Sequence, residues 1–256
     1  MKVVILAGGY GTRISEESDN RPKPMLNIGG MPILWHIMKG FSEHGYNDFI
    51  ICAGYKQEVI KTWFADYMLT KSDVTFDFSN SGSIEIHEKH FESWKVTVVD
   101  TGVNTQTGGR VKRIQNYVQE ENFILTYGDA VSDVNITELV NFHNNHSKKA
   151  TLTVYKYAQS KGVLQLEEND VTAFREKSLA DAEVINIGYM VLHKTFFDSI
   201  LSDSTILEKE PMDALVKANE LKAYPHSGFW QCMDTLKEKR YLEKLWTTKN
   251  AKWKIW

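Results

Sequence analysis

Apolar positions along the first half of the chain follow two rhythms. Val3-Val4-Ile5-Leu6-Ala7 is an unbroken apolar run stopped by Gly8-Gly9, the pattern of a strand buried on both faces of a parallel sheet. From Pro32, Ile33, Leu34, Ile37, Met38 and Phe41 recur at helical spacing, with Gly45 beyond them, so the spacing predicts a helix that starts at a proline and ends before a glycine. Residues 48–52 predict a second buried strand, 57–68 a helix, 74–78 and 84–87 short strands, and 95–99 a further strand. Residues 111–118 read as a helix leading into a strand at 123–127, which stops at Gly128-Asp129.

Alternating strands and helices predict an α/β fold: an open, mostly parallel central sheet wound with helices, whose ligands sit beyond the carboxyl ends of the strands. After Ala150 the strands are shorter, at 152–155, 163–166, 171–175 and 184–192, with a turn at Glu167-Glu168-Asn169-Asp170. These predict a smaller second sheet. A strand at 229–233 precedes a closing helix at 235–246. With no repeat and no linker rich in proline or glycine, the pattern predicts one domain over 1–256: a first half to about 149, a second half over 150–234, and a helix and tail over 235–256.

Composition narrows the classes of function. A chain of 256 residues with 42% hydrophobic content can bury a sizeable core. The formal charge of −3 comes without any basic run, which argues against a nucleic-acid partner. The apolar run after Met1 is too short for a signal peptide or a membrane span, so a cytoplasmic protein without membrane attachment is expected. Cys52 and Cys232 lie far apart, as buried thiols in a reducing compartment do, and form neither a disulfide framework nor a zinc site. The eight histidines form no spaced metal set, and His143 with His146 reads as a solvated helix face.

Two segments carry candidate chemistry. In Gly8-Gly9-Tyr10-Gly11-Thr12-Arg13 the glycines let backbone amides approach phosphate oxygens while an arginine supplies charge; a plain turn after a strand is the other reading. In Arg21-Pro22-Lys23-Pro24-Met25, two prolines stiffen the backbone around a lysine suited to an α-phosphate, or simply present a solvated lysine.

The run Leu6-Ala7-Gly8-Gly9-Tyr10-Gly11-Thr12-Arg13, then Arg21-Pro22-Lys23-Pro24-Met25 and Gly29-Gly30-Met31-Pro32-Ile33-Leu34, resembles the sugar-nucleotide pyrophosphorylases, whose fold is a Rossmann-like nucleotidyltransferase. Within them, Trp35-His36-Ile37-Met38-Lys39, Asp73-Val74-Thr75-Phe76, Val99-Asp100-Thr101-Gly102, Thr107-Gly108-Gly109-Arg110 and Gly228-Phe229-Trp230-Gln231 are similar to the glucose-1-phosphate cytidylyltransferase family. The resemblance implies an enzyme that transfers CMP from CTP to a small phosphorylated acceptor, releasing pyrophosphate, with Arg13 and Lys23 as catalytic cations. It also implies Asp129 and Asp234 as ligands of Mg2+, Thr107-Gly108-Gly109 at the cytosine edge, and Arg110 on the triphosphate, supplied by its own subunit or across a subunit boundary. Glu176 and Lys177, with Asn186 and Ile187, are implied on the acceptor side. A homo-oligomer is implied, with a hexamer as one form, and the tail tryptophans Trp246, Trp253 and Trp256 suit subunit packing.

The acceptor half departs from the family pattern. Ser160-Lys161-Gly162 stands where an arginine-phenylalanine-glycine stretch is usual, Ser178 follows Glu176-Lys177 in place of proline, and Asn186-Ile187-Gly188 replaces asparagine with two glycines. Ala130 replaces a glycine after Asp129. A branched Ile187 near a sugar ring would crowd hexose hydroxyls and make glucose 1-phosphate a poor acceptor, unless the departures are neutral drift that still admits glucose. A related CTP-using group that resembles this family charges phosphorylated glutamine, which is the alternative acceptor. Two readings from other classes remain at this point. One is an NAD-dependent dehydrogenase, against which the glycine spacing and the lack of an acidic residue ending the next strand both count. The other is a nucleotide-binding regulatory protein without turnover, against which the intact Arg13, Lys23, Asp129 and Asp234 count.

Overall fold

The fold is that of a computed structural model, which describes residues 1–14, 20–79, 82–157, 163–168, 170–175 and 183–256. In chain order the strands are β1 (Val3–Ala7), β2 (Asn27–Ile28), β3 (Met31–Pro32), β4 (Asp48–Ala53), β5 (Ser72–Asp77), β6 (Ser83–Lys89), β7 (Lys95–Asp100) and β8 (Asn122–Tyr127). They continue as β9 (Ala130–Ser132), β10 (Ala150–Tyr157), β11 (Val163–Glu167), β12 (Asp170–Arg175), β13 (Glu183–His193), β14 (Leu221–His226) and β15 (Trp230–Cys232). The helices are α1 (Ile33–Glu43), α2 (Gln57–Thr70), α3 (Thr107–Arg113), α4 (Ile136–Asn144), α5 (Glu210–Lys217) and α6 (Leu236–Thr247).

Seven strands form the central sheet in the order β14-β10-β13-β8-β1-β4-β7. The pairings β8-β1, β1-β4, β4-β7 and β10-β14 are parallel, while β13 runs antiparallel to both of its neighbours. The sheet is thus mostly parallel and draws strands from both halves of the sequence. Small antiparallel pairs, β2-β3, β5-β6, β9-β15 and β11-β12, lie outside it.

The unbroken apolar run of β1 has the physical cause read from the sequence. Val3, Ile5 and Ala7 face a core containing Ile33, Leu34, Ile37, Met38 and Phe41 of α1, while Val4 and Leu6 face a second core with Val111, Ile114, Phe196 and Phe197. Alternating side chains of one strand therefore enter two cores on opposite faces of the sheet. Each buried valine, isoleucine or leucine side chain contributes roughly 1.5 to 3 kcal/mol.

Three expectations are corrected. The helix read at 111–118 begins at Thr107 and ends at Arg113, followed by a short 3-10 turn at Gln115–Tyr117. Gly108 and Gly109 are helical despite glycine's poor propensity because the helix lies flush on the 203–205 backbone: a Cβ on Gly108 would stand 2.7 Å from the Thr205 carbonyl, and one on Gly109 2.5 Å from that of Asp203. The aromatic tail packs on its own chain: Trp253 is 1% exposed, and the rings of Trp246, Trp253 and Trp256 surround His36. His143, read as solvated, is buried and bonds Thr151 of β10. Strand β14, absent from the sequence reading, contains Pro225, which a strand at the edge of a sheet tolerates. Strand β9 and helix α5 were not read either.

Candidate active site

The parallel strands β1, β4, β7 and β8 place their carboxyl ends side by side, and the loops leaving β1, β7 and β8 line a cleft of about 480 Å³. Its lining contains Leu6, Ala7, Gly8, Gly9, Gly11, Thr12 and Arg13 from the first loop, Lys23, Thr107 and Arg110, and Asp129 and Asp234. Asp129 and Asp234 lie far apart in the sequence, yet the fold brings them side by side through one short ladder. Ala130 of β9 pairs with Cys232 of β15, and the Met233 amide donates to the Asp129 carbonyl at 2.8 Å. The Asp234 amide donates to Glu238 at 2.8 Å, within the capping box that Thr235 and Glu238 form at the start of α6.

The two carboxylates meet two cations. Lys23 Nζ donates to Asp129 Oδ2 at 2.6 Å and also to Asp234 Oδ1, and Arg13 Nη1 donates to Asp234 Oδ2 at 2.6 Å. Burial would lower the Lys23 ammonium, but Asp129 and Asp234 outweigh it and hold the group above its ordinary value. Lys23 is buried in a 3-10 turn at Lys23–Met25 that follows Pro22, so the prolines do fix its position.

The glycine loop divides its labour. Gly9 faces open space, with no described atom of its own chain within 4 Å of where a Cβ would sit, and Gly11 adopts φ +69°. Gly8 has the opposite constraint: a Cβ there would lie 2.0 Å from Arg110 Nη1. The Arg110 side chain is buried under this loop, donating to the carbonyls of Gly102 (2.7 Å) and Val103 (3.1 Å) and to Thr101 Oγ1 (2.9 Å). Burial lowers its pKa from the ordinary value. It lines the cleft, and its hydrogen bonds to Ala53 at the end of β4 and to residues 101–103 after β7 tie those two strand ends together.

Thr107 lines the cleft, but Gly108 and Gly109 do not reach it. Their amides donate to the Thr205 carbonyl at 3.0 and 3.3 Å, so they are engaged with that loop and turned from any base edge. The glycines serve helix-to-loop packing. On the other half, Asn186 is exposed on β13 with its Oδ1 accepting from the Gly188 amide at 2.9 Å. Ile187 is 2% exposed in the core that holds α1, so its side chain is not available to crowd or contact an acceptor. The glycine that matters on this strand is Gly188, at φ +84°, where a Cβ would stand 2.2 Å from the Tyr127 ring. Glu176, Lys177, Ser178 and the stretch 160–162 lie outside the described residues.

Sequence reasoning missed Tyr10, Asn104, Gln106 and Tyr127 as cleft residues. Tyr10 OH donates to Asn104 Oδ1 at 2.8 Å, closing the glycine loop against residues 103–106, and Tyr127 OH donates to Glu208. The position of Tyr127 two residues before Asp129, at a strand end, was the available signal. Among the described residues, no group of three or more His, Cys, Asp or Glu could hold a metal by itself, and no helix is long and apolar enough to cross a membrane.

Comparison with known proteins adds to this geometry. A family model described as Nucleotidyl transferase matches residues 2–237. The glucose-1-phosphate cytidylyltransferase of Salmonella typhi is 51% identical over 257 residues, covering 100% of both chains. A Bacillus subtilis protein named "Probable glucose-1-phosphate cytidylyltransferase" is 40% identical, again over 100% of both. The crystal structure of HddC from Yersinia pseudotuberculosis shares the fold, with a TM-score of 0.68 at 21% identity over 96% of this chain and 99% of that one.

Proposed function

Because the chain belongs to the nucleotidyl transferase family, we propose that it is a CTP-dependent cytidylyltransferase acting on a sugar phosphate, with glucose 1-phosphate as the leading acceptor. The observation that carries this reading is the convergence of Lys23 and Arg13 on Asp129 and Asp234 beside the glycine loop, in a chain 51% identical from end to end to a glucose-1-phosphate cytidylyltransferase. An oxygen of the acceptor phosphate forms a bond to the α-phosphorus of CTP in line as the bond to pyrophosphate breaks, so catalysis is positioning and charge neutralisation. Gly9 and Gly11 give the phosphates close access to backbone, Lys23 and Arg13 offset the developing charge, and Thr107 with residues 103–106 forms the wall against which the base is held. Glu176 and Lys177 are proposed for the acceptor phosphate and Asn186 for the sugar.

Asp129 and Asp234 fit a magnesium ion. Both present hard carboxylate oxygens, partly exposed at 31% and 23%, to a single point that a cation, the Lys23 ammonium, already occupies. With only two such carboxylates, the remaining ligands would be phosphate oxygens and water. Bound there, the ion supplies charge neutralisation to the triphosphate and orients it. A cytoplasmic homo-oligomer that supplies an activated sugar for polysaccharide synthesis completes the proposal.

Phosphorylated glutamine is not favoured as the acceptor. Full-length relatives carry the glucose-1-phosphate name, and burial of Ile187 removes the steric argument against a hexose. The dehydrogenase reading falls with the family assignment. The test is pyrophosphate release from CTP, UTP, ATP and dTTP with glucose 1-phosphate, other sugar phosphates and phosphorylated amides. CTP with a sugar phosphate is expected to dominate. Equal rates with UTP, or release only with a phosphorylated amide, would overturn the reading.

A further inference from the structure

Glu208 is an exposed carboxylate in the loop before α5, and such groups usually contribute little. This one accepts hydroxyl hydrogen bonds from two residues that line the cleft, Thr107 and Tyr127. Thr107 Oγ1 donates to its Oε2 at 2.7 Å, and Tyr127 OH donates to its Oε1 at 2.5 Å. Hydrogen bonds to an ionised acceptor are among the stronger ones.

Each donor is itself fixed. Thr107 opens α3, and its Oγ1 also accepts from the Leu207 amide at 2.9 Å, so the helix start and the 207–208 loop are stitched together. One turn on, the same helix carries Arg110. Tyr127 ends β8, with its ring against Gly188 of β13, and its hydroxyl donates to Glu208. The next residue, Gly128, is pinned by its amide to the Leu6 carbonyl at 2.9 Å, and Asp129 follows. Tyr127, anchored by Glu208, and Gly128, anchored by Leu6, thus hold the strand end from which Asp129 projects.

We propose that Glu208 is a positioning residue that sets the distance between the Thr107 wall and the Tyr127-Gly128-Asp129 strand end, and so seats the nucleotide against the aspartates. The proposal rests on the reading of the cleft as the CTP site. It adds a group that lines neither the phosphate loop nor the aspartate pair, and it assigns Tyr127 as the relay through which Glu208 acts.

The test is steady-state kinetics of Glu208→Ala, Glu208→Gln, Tyr127→Phe and the double variant Glu208→Ala with Tyr127→Phe, alongside their melting temperatures. Misplacement by a fraction of an ångström predicts that Glu208→Ala raises the KM for CTP roughly tenfold and leaves the KM for the sugar phosphate within about twofold. Tyr127→Phe has a smaller effect of about threefold, and the double variant is within about twofold of Glu208→Ala, because both changes cut one relay. Glu208→Gln recovers most of the loss, since its amide accepts from Thr107 and donates to the Tyr127 oxygen. A role in folding alone would lower kcat for all substrates through the active fraction and leave both KM values in place. That pattern, additive effects, or an unchanged KM for CTP in Glu208→Ala would overturn the proposal. An unmodified enzyme that fails to turn over CTP would instead remove the proposed function on which it rests.

Discussion

Asp129 and Asp234 stand next to one another because the short strands that flank them pair: Ala130 faces Cys232, and the Met233 amide donates to the Asp129 carbonyl at 2.8 Å. Lys23 then bridges their carboxylates, at 2.6 Å to Asp129, and Arg13 completes the group from the glycine loop. Four separate stretches of chain thus meet at one point of charge. The arrangement is neutral overall, two anions against two cations, so on the proposed function a triphosphate with magnesium would meet a site whose lysine and carboxylates can each take a new partner.

Replacing either aspartate by asparagine removes a charged oxygen while keeping the volume. Turnover is expected to fall at least about 100-fold in Asp129→Asn and Asp234→Asn, the order lost when a group that offsets transition-state charge is deleted. Circular dichroism and melting temperature should stay close to those of the natural chain. A variant that keeps most of its activity at ordinary magnesium concentration would place the metal elsewhere.

Arg110 separates a structural role from a substrate role. Its guanidinium serves the Gly102 and Val103 carbonyls and the Thr101 hydroxyl from a buried position. Arg110→Met leaves those acceptors without a donor and should cost about 2 to 4 kcal/mol in urea unfolding, with Arg110→Lys restoring only part because lysine lacks the planar fork. A variant of unchanged stability that loses only CTP binding would show instead that the side chain leaves its carbonyls to hold the triphosphate.

Ile187 was read from the sequence as an acceptor contact and lies in the core. Ile187→Ala is expected to destabilise the fold by about 2 to 5 kcal/mol, the range for large-to-small changes in packed interiors. The ranking of acceptor phosphates in the pyrophosphate assay should not change. A new acceptor preference at unchanged stability would return the residue to the pocket.

The strands that were legible are those whose environment is uniform. Val3 to Ala7 and the run ending at Ala53 are apolar throughout because both faces are covered, and that condition is written into consecutive residues. Lys23, Asp129 and Asp234 were legible through motif resemblance, and their meeting point was not, since it depends on a ladder of three residues at β9 and β15. Gly108 and Gly109 show the limit most directly. A glycine pair signals close approach of something to the backbone, and here that partner is the loop at 203–205, far along the chain, where the sequence reading had placed the base. Glu208 was invisible for the same reason: an exposed acid gains meaning only from the two hydroxyls folded against it.

His36 supplies a test of the folded state through pH. It is 1% exposed, with Nε2 2.8 Å from the Ile28 carbonyl and Nδ1 3.4 Å from Trp253 Nε1, so a neutral ring donates at Nε2 and accepts at Nδ1. Desolvation pushes its pKa down to about 4, and burial does the same to His143, also to about 4. In the unfolded chain both would titrate near the ordinary value of about 6.5, so between those limits the unfolded state binds more protons than the folded one. Stability is therefore complete above about pH 6.5 and is lost as pH falls toward 4, by on the order of 3 kcal/mol for each histidine. His36→Gln keeps a donor for the Ile28 carbonyl and removes the titration. Urea unfolding followed by tryptophan fluorescence, from about pH 7 to about pH 4.5, should show the variant less stable than the natural chain at neutral pH, with the gap closing as pH falls. Two parallel curves would mean that His36 does not carry the acid sensitivity, and that protonation of the ring is accommodated without opening the tryptophan cluster around it.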